Sequence, residues 1–153
     1  MTGVLQEYWN KLGTLHRSIG LILFKAERYH TINDVVLRSE AQLADFREVA
    51  RAMVPPRSRF VNFAANTLFQ ALQVAHDASL GRKLIIQNFN LGLSRLAKAE
   101  RDRFWATLID HFPANSNVCV ALALPGEQTA VNLLPAPETL QQWIDLKRAI
   151  RIN

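Results

Sequence analysis

Four short runs of apolar residues interrupt a chain whose other segments place apolar residues at helical spacing. The runs are Ile19–Phe24, Arg59–Ala64, Lys83–Gln87 and Val118–Leu124. Short runs that are apolar at nearly every position are typical of strands covered on both faces, as in parallel sheets. Because helical segments separate the runs, the pattern predicts an α/β domain, a three-layer sandwich around a mainly parallel sheet.

The segments between the runs carry apolar residues every three or four positions, which predicts helices. The predicted helices span residues 4–17, 31–53, 66–78, 98–112 and 138–150, and the pattern allows a break within the second. Pro55 and Pro56 end the second helix, and Pro137 suits the first turn of the last one. A fifth strand, at an edge of the sheet, is predicted at Ala130–Leu134. Residues 1–17 are interpreted as an N-terminal helix and residues 18–153 as a single α/β domain.

The carboxyl ends of the predicted strands carry few chemical groups. In parallel α/β sheets, ligand-binding and catalytic residues follow these ends. Here the ends are Lys25-Ala26, Ala64-Ala65, Asn88 with Asn90, and Pro125. None of the first three carries an aspartate or a glutamate, and no glycine-rich loop follows the first. The pattern predicts a scaffold of the nucleotide-binding type without its catalytic groups.

The composition is that of an ordinary single-domain protein. The chain has 153 residues, of which 49% are hydrophobic, and this length suits one domain. Its apolar runs are far shorter than the roughly 20 residues of a membrane helix, so we expect no membrane association and a cytoplasmic location. The single cysteine, Cys119, excludes an internal disulfide, and its apolar neighbours predict a buried, unreactive thiol.

The order of elements resembles the core of P-loop nucleotidases of the AAA/RecA type over roughly residues 18–150. In that family the first strand leads into a loop with two glycines, a lysine and a hydroxyl residue, which together hold phosphates and magnesium. In the matching window Lys25 and His30 stand at the glycine positions, Thr31 at the lysine and Ile32 at the hydroxyl. The resemblance therefore implies a degenerate member, although an unrelated α/β domain with the same element order is the alternative.

The third predicted strand supports the same interpretation. The family places acidic residues at its end to bind magnesium and polarise water, whereas this chain has Gln87, Asn88 and Asn90. Neutral amides are poor magnesium ligands and do not act as general bases. We expect a vestigial nucleotide pocket, no catalytic residue, no NTP hydrolysis and no cofactor. The pocket would comprise Lys25, Arg28, His30, Thr31, Asn88 and Asn90.

The length and layout are also similar to the small P-loop-like component of BREX phage-defence systems. This resemblance implies a non-catalytic scaffold or adaptor that binds a larger protein partner, within a phage-defence or nucleic-acid-processing complex. A second possibility is a nucleotide-binding protein with a nonstandard site in the same pocket. The sequence leaves the oligomeric state open.

A third possibility comes from the basic residues. The formal net charge is +5, and several cations directly precede predicted strands. Because the amino ends of parallel strands meet at one edge of a sheet, these cations predict a basic rim for nonspecific DNA or RNA binding, or for an acidic protein. The rim comprises Arg17, Arg57, Arg59, Arg82 and Lys83. The four histidines are scattered along the chain, and no metal site is expected from them.

Overall fold

The computed structural model of the chain describes residues 2–15, 17–25, 30–53, 64–112, 117–126 and 133–152. Seven helices and five strands lie in these ranges. The helices are α1 (Thr2–Gly13), α2 (Ile32–Ser39), α3 (Phe46–Met53), α4 (Ala65–Ala78), α5 (Phe89–Leu93), α6 (Lys98–His111) and α7 (Pro137–Asp145). The strands are β1 (Ile19–Phe24), β2 (Gln42–Asp45), β3 (Lys83–Gln87), β4 (Cys119–Pro125) and β5 (Ala149–Ile152).

The strands form one parallel sheet in the order β2-β3-β4-β1-β5. This confirms the predicted α/β class and the five-stranded parallel sheet. The central strands are buried along almost their whole length because helices cover both faces. Their register sets Ile19 beside Val120 and Leu84 beside Val120, so β4 lies at the centre of the core.

The connections between strands distribute the helices over the two faces. The connection from β1 to β2 crosses the sheet in one direction, and the later connections all return in the other. Right-handed crossovers therefore place α2 on one face and α3 to α7 on the opposite face. The buried clusters agree, because α1 and α2 pack on Ile22 and Ile85, whereas α3, α4, α6 and α7 pack on Ile86 and Leu122.

The strand β1 needs a glycine because α1 and β5 approach it closely. A Cβ placed on Gly20 would lie 2.5 Å from the Tyr8 hydroxyl and would clash with the Arg148 carbonyl. The Leu21 N–H donates to that same carbonyl at 2.9 Å. A residue with a side chain would therefore push apart the helix and the two strands that meet here.

The helix predicted over residues 31–53, in which a break was allowed, is interrupted by a strand that was not predicted. The chain leaves α2 at Glu40, whose φ of 54° is left-handed and cannot continue a helix. Residues Gln42–Asp45 then extend and pair with β3, and a new helix starts at Phe46. Pairing with a strand some forty residues later overrides the local helical pattern.

The end of the chain was also predicted wrongly. The last helix stops at Asp145, and Ala149–Ile152 forms the fifth strand of the sheet beside β1. Arg148 is buried just before this strand, and its Nη1 donates to the carbonyls of Arg17 (2.8 Å) and Ile19 (2.7 Å). In the predicted strand at 130–134, Leu133 and Leu134 are not extended in a strand, and residues 130–132 lie outside the described residues.

The remaining elements follow the predictions closely. The strands β1 and β3 have the predicted bounds, and β4, α4 and α6 differ from theirs by no more than one residue at each end. The first helix ends at Gly13, four residues before the predicted end. The predicted strand at 59–64 lies outside the described residues except for Ala64, the residue that precedes α4. The segment after β3, expected to be a loop, forms the short helix α5.

Candidate functional site

The expected nucleotide pocket lies at the crevice between the carboxyl ends of β1 and β4. The chain leaves these neighbouring strands toward opposite faces, which is the arrangement that opens a ligand crevice in α/β sheets. Of the predicted residues, Lys25 and His30 are exposed here and Thr31 is half-buried. Arg28 lies outside the described residues.

The two asparagines of that pocket lie one strand further along the sheet. Asn88 and Asn90 follow β3, and β4 separates β3 from β1. Asn88 has a left-handed φ of 62° and donates from Nδ2 to the Asp45 carboxylate at 3.2 Å. Asn90 lies on α5, where its Oδ1 is buried without a hydrogen-bond partner among the described residues. The sheet order therefore divides the predicted set into two groups.

The strand β2, which the sequence analysis did not predict, ends in an acid, Asp45. Its carboxylate accepts hydrogen bonds from Arg47 Nη2 (2.8 Å), Arg47 Nε and the Arg47 backbone N–H (2.9 Å), besides that from Asn88. These bonds, chiefly those from the Arg47 guanidinium, hold the pKa of Asp45 below its ordinary value. A carboxylate saturated in this way is a weak base.

The predicted basic rim is described in part. Arg17, Arg82 and Lys83 lie at the amino ends of β1 and β3, on either side of the start of β4. Arg82 is exposed, whereas the Lys83 ammonium turns inward to the Ser39 carbonyl (3.1 Å) and lies 6.0 Å from the centre of the Trp9 ring. The other two members of the rim, Arg57 and Arg59, lie outside the described residues.

Cys119 lies at the start of β4 and is half-buried rather than fully buried. Burial raises the pKa of its thiol, against smaller opposing effects of the Ser18 hydroxyl and the Lys83 charge. The protonated thiol is a poor nucleophile at neutral pH. Within the described ranges, no group of three or more histidine, cysteine and acidic side chains is placed to hold a metal ion.

No helix in the described part of the chain combines the length and the apolar character needed to cross a lipid bilayer.

A groove lies beside the edge strand β2, between α3 and α4, and we call it the β2 groove. Its volume is about 450 Å³. It is lined by Gln42, Leu43, Ala44, Asp45, Glu48, Val49, Val74, Ala75, Ala78, Ser79 and Leu84. The lining is mostly apolar, and its two charged residues are both acidic. Sequence analysis missed this groove because it predicted β2 as part of a helix.

The outer edge of β2 pairs with no other strand among the described residues. The Arg82 carbonyl points toward β4, because it accepts a hydrogen bond from the Cys119 N–H. The backbone groups of successive residues point alternately to the two neighbouring strands, so the N–H and C=O of Ile85, three residues later, point toward β2. Because Ile85 lies opposite Leu43, its N–H and C=O bond to the Gln42 carbonyl and the Ala44 N–H. It follows that the N–H and C=O of Leu43 and the N–H of Asp45 face the open edge.

Two strongly exposed leucines flank the start of this strand. Leu80 is 93% exposed and Leu37 is 76% exposed. The Leu80 N–H donates to Gln42 Oε1 at 2.8 Å, and the Leu37 carbonyl accepts from the N–H of Glu40, two residues before β2. An open strand edge bordered by exposed apolar side chains is a surface suited to another polypeptide.

No protein-family model matches the chain, and no curated protein matches its sequence.

Proposed function

We propose that this domain is a non-catalytic relative of the P-loop nucleotidases that acts as an adaptor and docks a larger protein partner on the open edge of β2. The observation that carries the proposal is the pair of leucines, Leu80 and Leu37, exposed at the start of an edge strand. A leucine of this exposure loses about 1.5–3 kcal/mol of hydrophobic stabilisation relative to burial. A partner that covers both side chains recovers this free energy.

The chemistry at the strand ends supports a binding role over a catalytic one. Asp45 is the only acid at the end of a described strand, and Arg47 neutralises it. The third strand ends in the amides of Gln87 and Asn88, which supply neither a metal ligand of high affinity nor a general base.

The sheet supports the proposed kinship without proving it. The crevice between β1 and β4 is the place where doubly wound sheets bind nucleotides, and the loop after β1 has lost the phosphate-binding residues. A degenerate domain that retains its fold acts through its surfaces. The resemblance to the small BREX component extends the proposal: the domain would act as an adaptor within a phage-defence or nucleic-acid-processing complex.

The test is co-purification from the native host with two matched variants. Leu80→Asp places a charge at the β2 edge, and Leu146→Asp places the same charge at a leucine that is 55% exposed next to α7. We expect a protein that co-purifies reproducibly with the unchanged chain to be lost with Leu80→Asp and retained with Leu146→Asp. Equal recovery with both variants would reject the β2 edge as the docking surface.

Nucleic-acid binding at the basic rim is the second candidate. It is favoured by the exposed Arg82 and the neighbouring Arg17 at one edge of the sheet, and it is weakened by the inward turn of Lys83. Gel-shift measurements at several salt concentrations test it, because phosphate contacts give salt-dependent binding. An Arg82→Glu variant, combined with charge reversal at Arg57 and Arg59, that shifts DNA as the unchanged chain does would exclude the rim.

A further inference from the structure

The polar groups of the β2 groove are almost all engaged within the domain. Gln42 Oε1 accepts hydrogen bonds from the Ser79 hydroxyl (2.8 Å), the Leu80 N–H (2.8 Å) and the Gly81 N–H (3.2 Å). A small-molecule site needs several convergent polar groups that are free to orient a ligand. The side chains of the groove offer no such set. The groove is therefore better suited to a polypeptide, whose backbone can bond to the open edge of β2.

Glu48 is the one charged group of the groove that remains available. The other acid, Asp45, is occupied by Arg47 and Asn88. Glu48 is exposed in the first turn of α3 and forms no ion pair with any described residue. The groove therefore presents one uncompensated negative charge beside the apolar side chains of Val49 and Val74.

The backbone of β2 supplies the remaining contacts. A strand placed against this edge would bond to the outward N–H and C=O of Leu43 and to the N–H of Asp45, and every second side chain would point into the groove. Strand addition of this kind takes its affinity from main-chain bonds and its selectivity from the side chains that enter pockets.

From this arrangement we propose that the partner contributes an extended segment that joins the sheet beside β2, with alternating apolar residues in the groove and a lysine or arginine against Glu48. This inference rests on the proposed function, because it specifies what the same edge binds. Charge complementarity selects the occupant, since the only free charge among the described residues that line the groove is the Glu48 carboxylate.

The test uses fluorescein-labelled eight-residue peptides and fluorescence polarisation with the whole chain. The peptides carry valine at alternate positions and threonine between, with one central valine, on the face that enters the groove, replaced by lysine, glutamine or glutamate. We expect the lysine peptide to bind about two- to five-fold more tightly than the glutamine peptide at low salt. The preference should disappear in Glu48→Gln and persist in Glu138→Gln, which removes an exposed acid from α7.

Two further lysine peptides test the main-chain contacts. Each has methyl groups on alternate peptide nitrogens, in one or the other phase, so that side chains and charge are retained. In an added strand only every second N–H would bond to β2, while the N–H groups between would face solvent. We therefore expect the peptide that is methylated at the bonding positions to lose binding and the other to keep it. Equal binding of the two would overturn strand addition.

Other outcomes separate this inference from the proposed function. If no peptide binds, or if lysine and glutamine peptides bind equally, the inference is wrong, while a partner whose recovery depends on Leu80 still supports docking at the edge. A concentration-dependent dimer that Leu80→Asp abolishes would show that a second copy occupies the edge, which also overturns the inference. Equal recovery of the partner with Leu80→Asp and with Leu146→Asp would instead reject the proposed function.

Discussion

Single residues explain why the β2 end of the sheet holds its shape. Asp45 bonds to a side chain two residues later and to Asn88 at the end of the neighbouring strand. It therefore fixes the start of α3 relative to the turn after β3. Glu48, one turn into α3, is left free by this arrangement, so one acid serves structure and the other is open to a partner.

The Asp45 carboxylate makes stability depend on pH. Its folded-state pKa lies below the ordinary value of 3.8, so it stabilises the fold above that value and loses this effect as pH falls through the folded pKa. We expect Asp45→Asn to lower the free energy of unfolding by about 1 kcal/mol at neutral pH. The difference should begin to shrink as pH falls below 3.8 and should vanish once pH lies below the folded-state pKa.

Urea unfolding at a series of pH values measures this difference. Asp102→Asn is the control, because Asp102 pairs with Lys98 at the surface, where both side chains are mostly exposed. It should change stability little at any pH. A constant difference between Asp45→Asn and the unchanged chain across the acid range would contradict the role assigned to the carboxylate.

Gly20 is the residue with the least room for a side chain. Gly20→Ala places a methyl group against the Tyr8 hydroxyl and the Arg148 carbonyl, and we expect it to destabilise the fold by about 2–4 kcal/mol. Gly3→Ala is the matched change in open space within α1 and should be neutral or stabilising by up to about 1 kcal/mol. Thermal unfolding of both variants checks this, and equal midpoints would refute the close approach.

At the scale of elements, long buried segments were predictable and short edge strands were not. The runs that became β1, β3 and β4 are apolar at nearly every position because helices cover both of their faces. The edge strands β2 and β5 have four residues each and are only partly buried. In a strand of four residues, the alternation of apolar and polar positions is too short to be distinguished from the pattern of a neighbouring helix.

The error at β2 also hid the candidate site. The groove forms only because Gln42–Asp45 is extended beside β3. None of these four residues is β-branched or aromatic, so their types do not favour a strand. Asp45 and Glu48 fall within the helix predicted over residues 31–53. The strand that precedes Lys25 and His30 forms as predicted, but the sequence does not give the sheet order, which places β4 between β1 and β3 and so separates these two residues from Asn88 and Asn90.

Gln42 joins β2 to the turn between α4 and β3. Its Oε1 accepts three hydrogen bonds, so Gln42→Ala leaves these donors without their partner and should cost about 1–3 kcal/mol of unfolding free energy. Gln42→Glu keeps an oxygen at the same place and should retain most of the stability. Chemical denaturation distinguishes the two, and similar losses in both variants would show that the hydrogen bonds to Oε1 are not the cause.

At the scale of the whole molecule, the sheet presents two different regions. The crevice at the carboxyl ends of β1 and β4 has the location of a nucleotide site, and the open edge of β2 has the free backbone groups and exposed leucines of a docking surface. We therefore expect a partner to bind at the edge rather than a nucleotide in the crevice.

A titration with ATP and magnesium tests whether the crevice between β1 and β4 binds nucleotides. Because the loop after β1 lacks the glycines and the lysine that hold phosphates, we expect calorimetry with ATP and magnesium to give no binding in the micromolar range. The same titration with Lys25→Ala serves as the control for weak ionic contacts. Micromolar affinity that Lys25→Ala abolishes would move the functional site to the crevice.

Hydrogen exchange, measured residue by residue on the labelled chain alone and with its co-purified partner, tests whether the partner docks on the β2 edge. Docking there predicts slower exchange at the amide N–H of Leu43 and Asp45 in the complex, while the N–H of Ala44, already bonded to β3, changes little. Unchanged exchange at Leu43 together with new protection around Lys25 or Arg82 would contradict it.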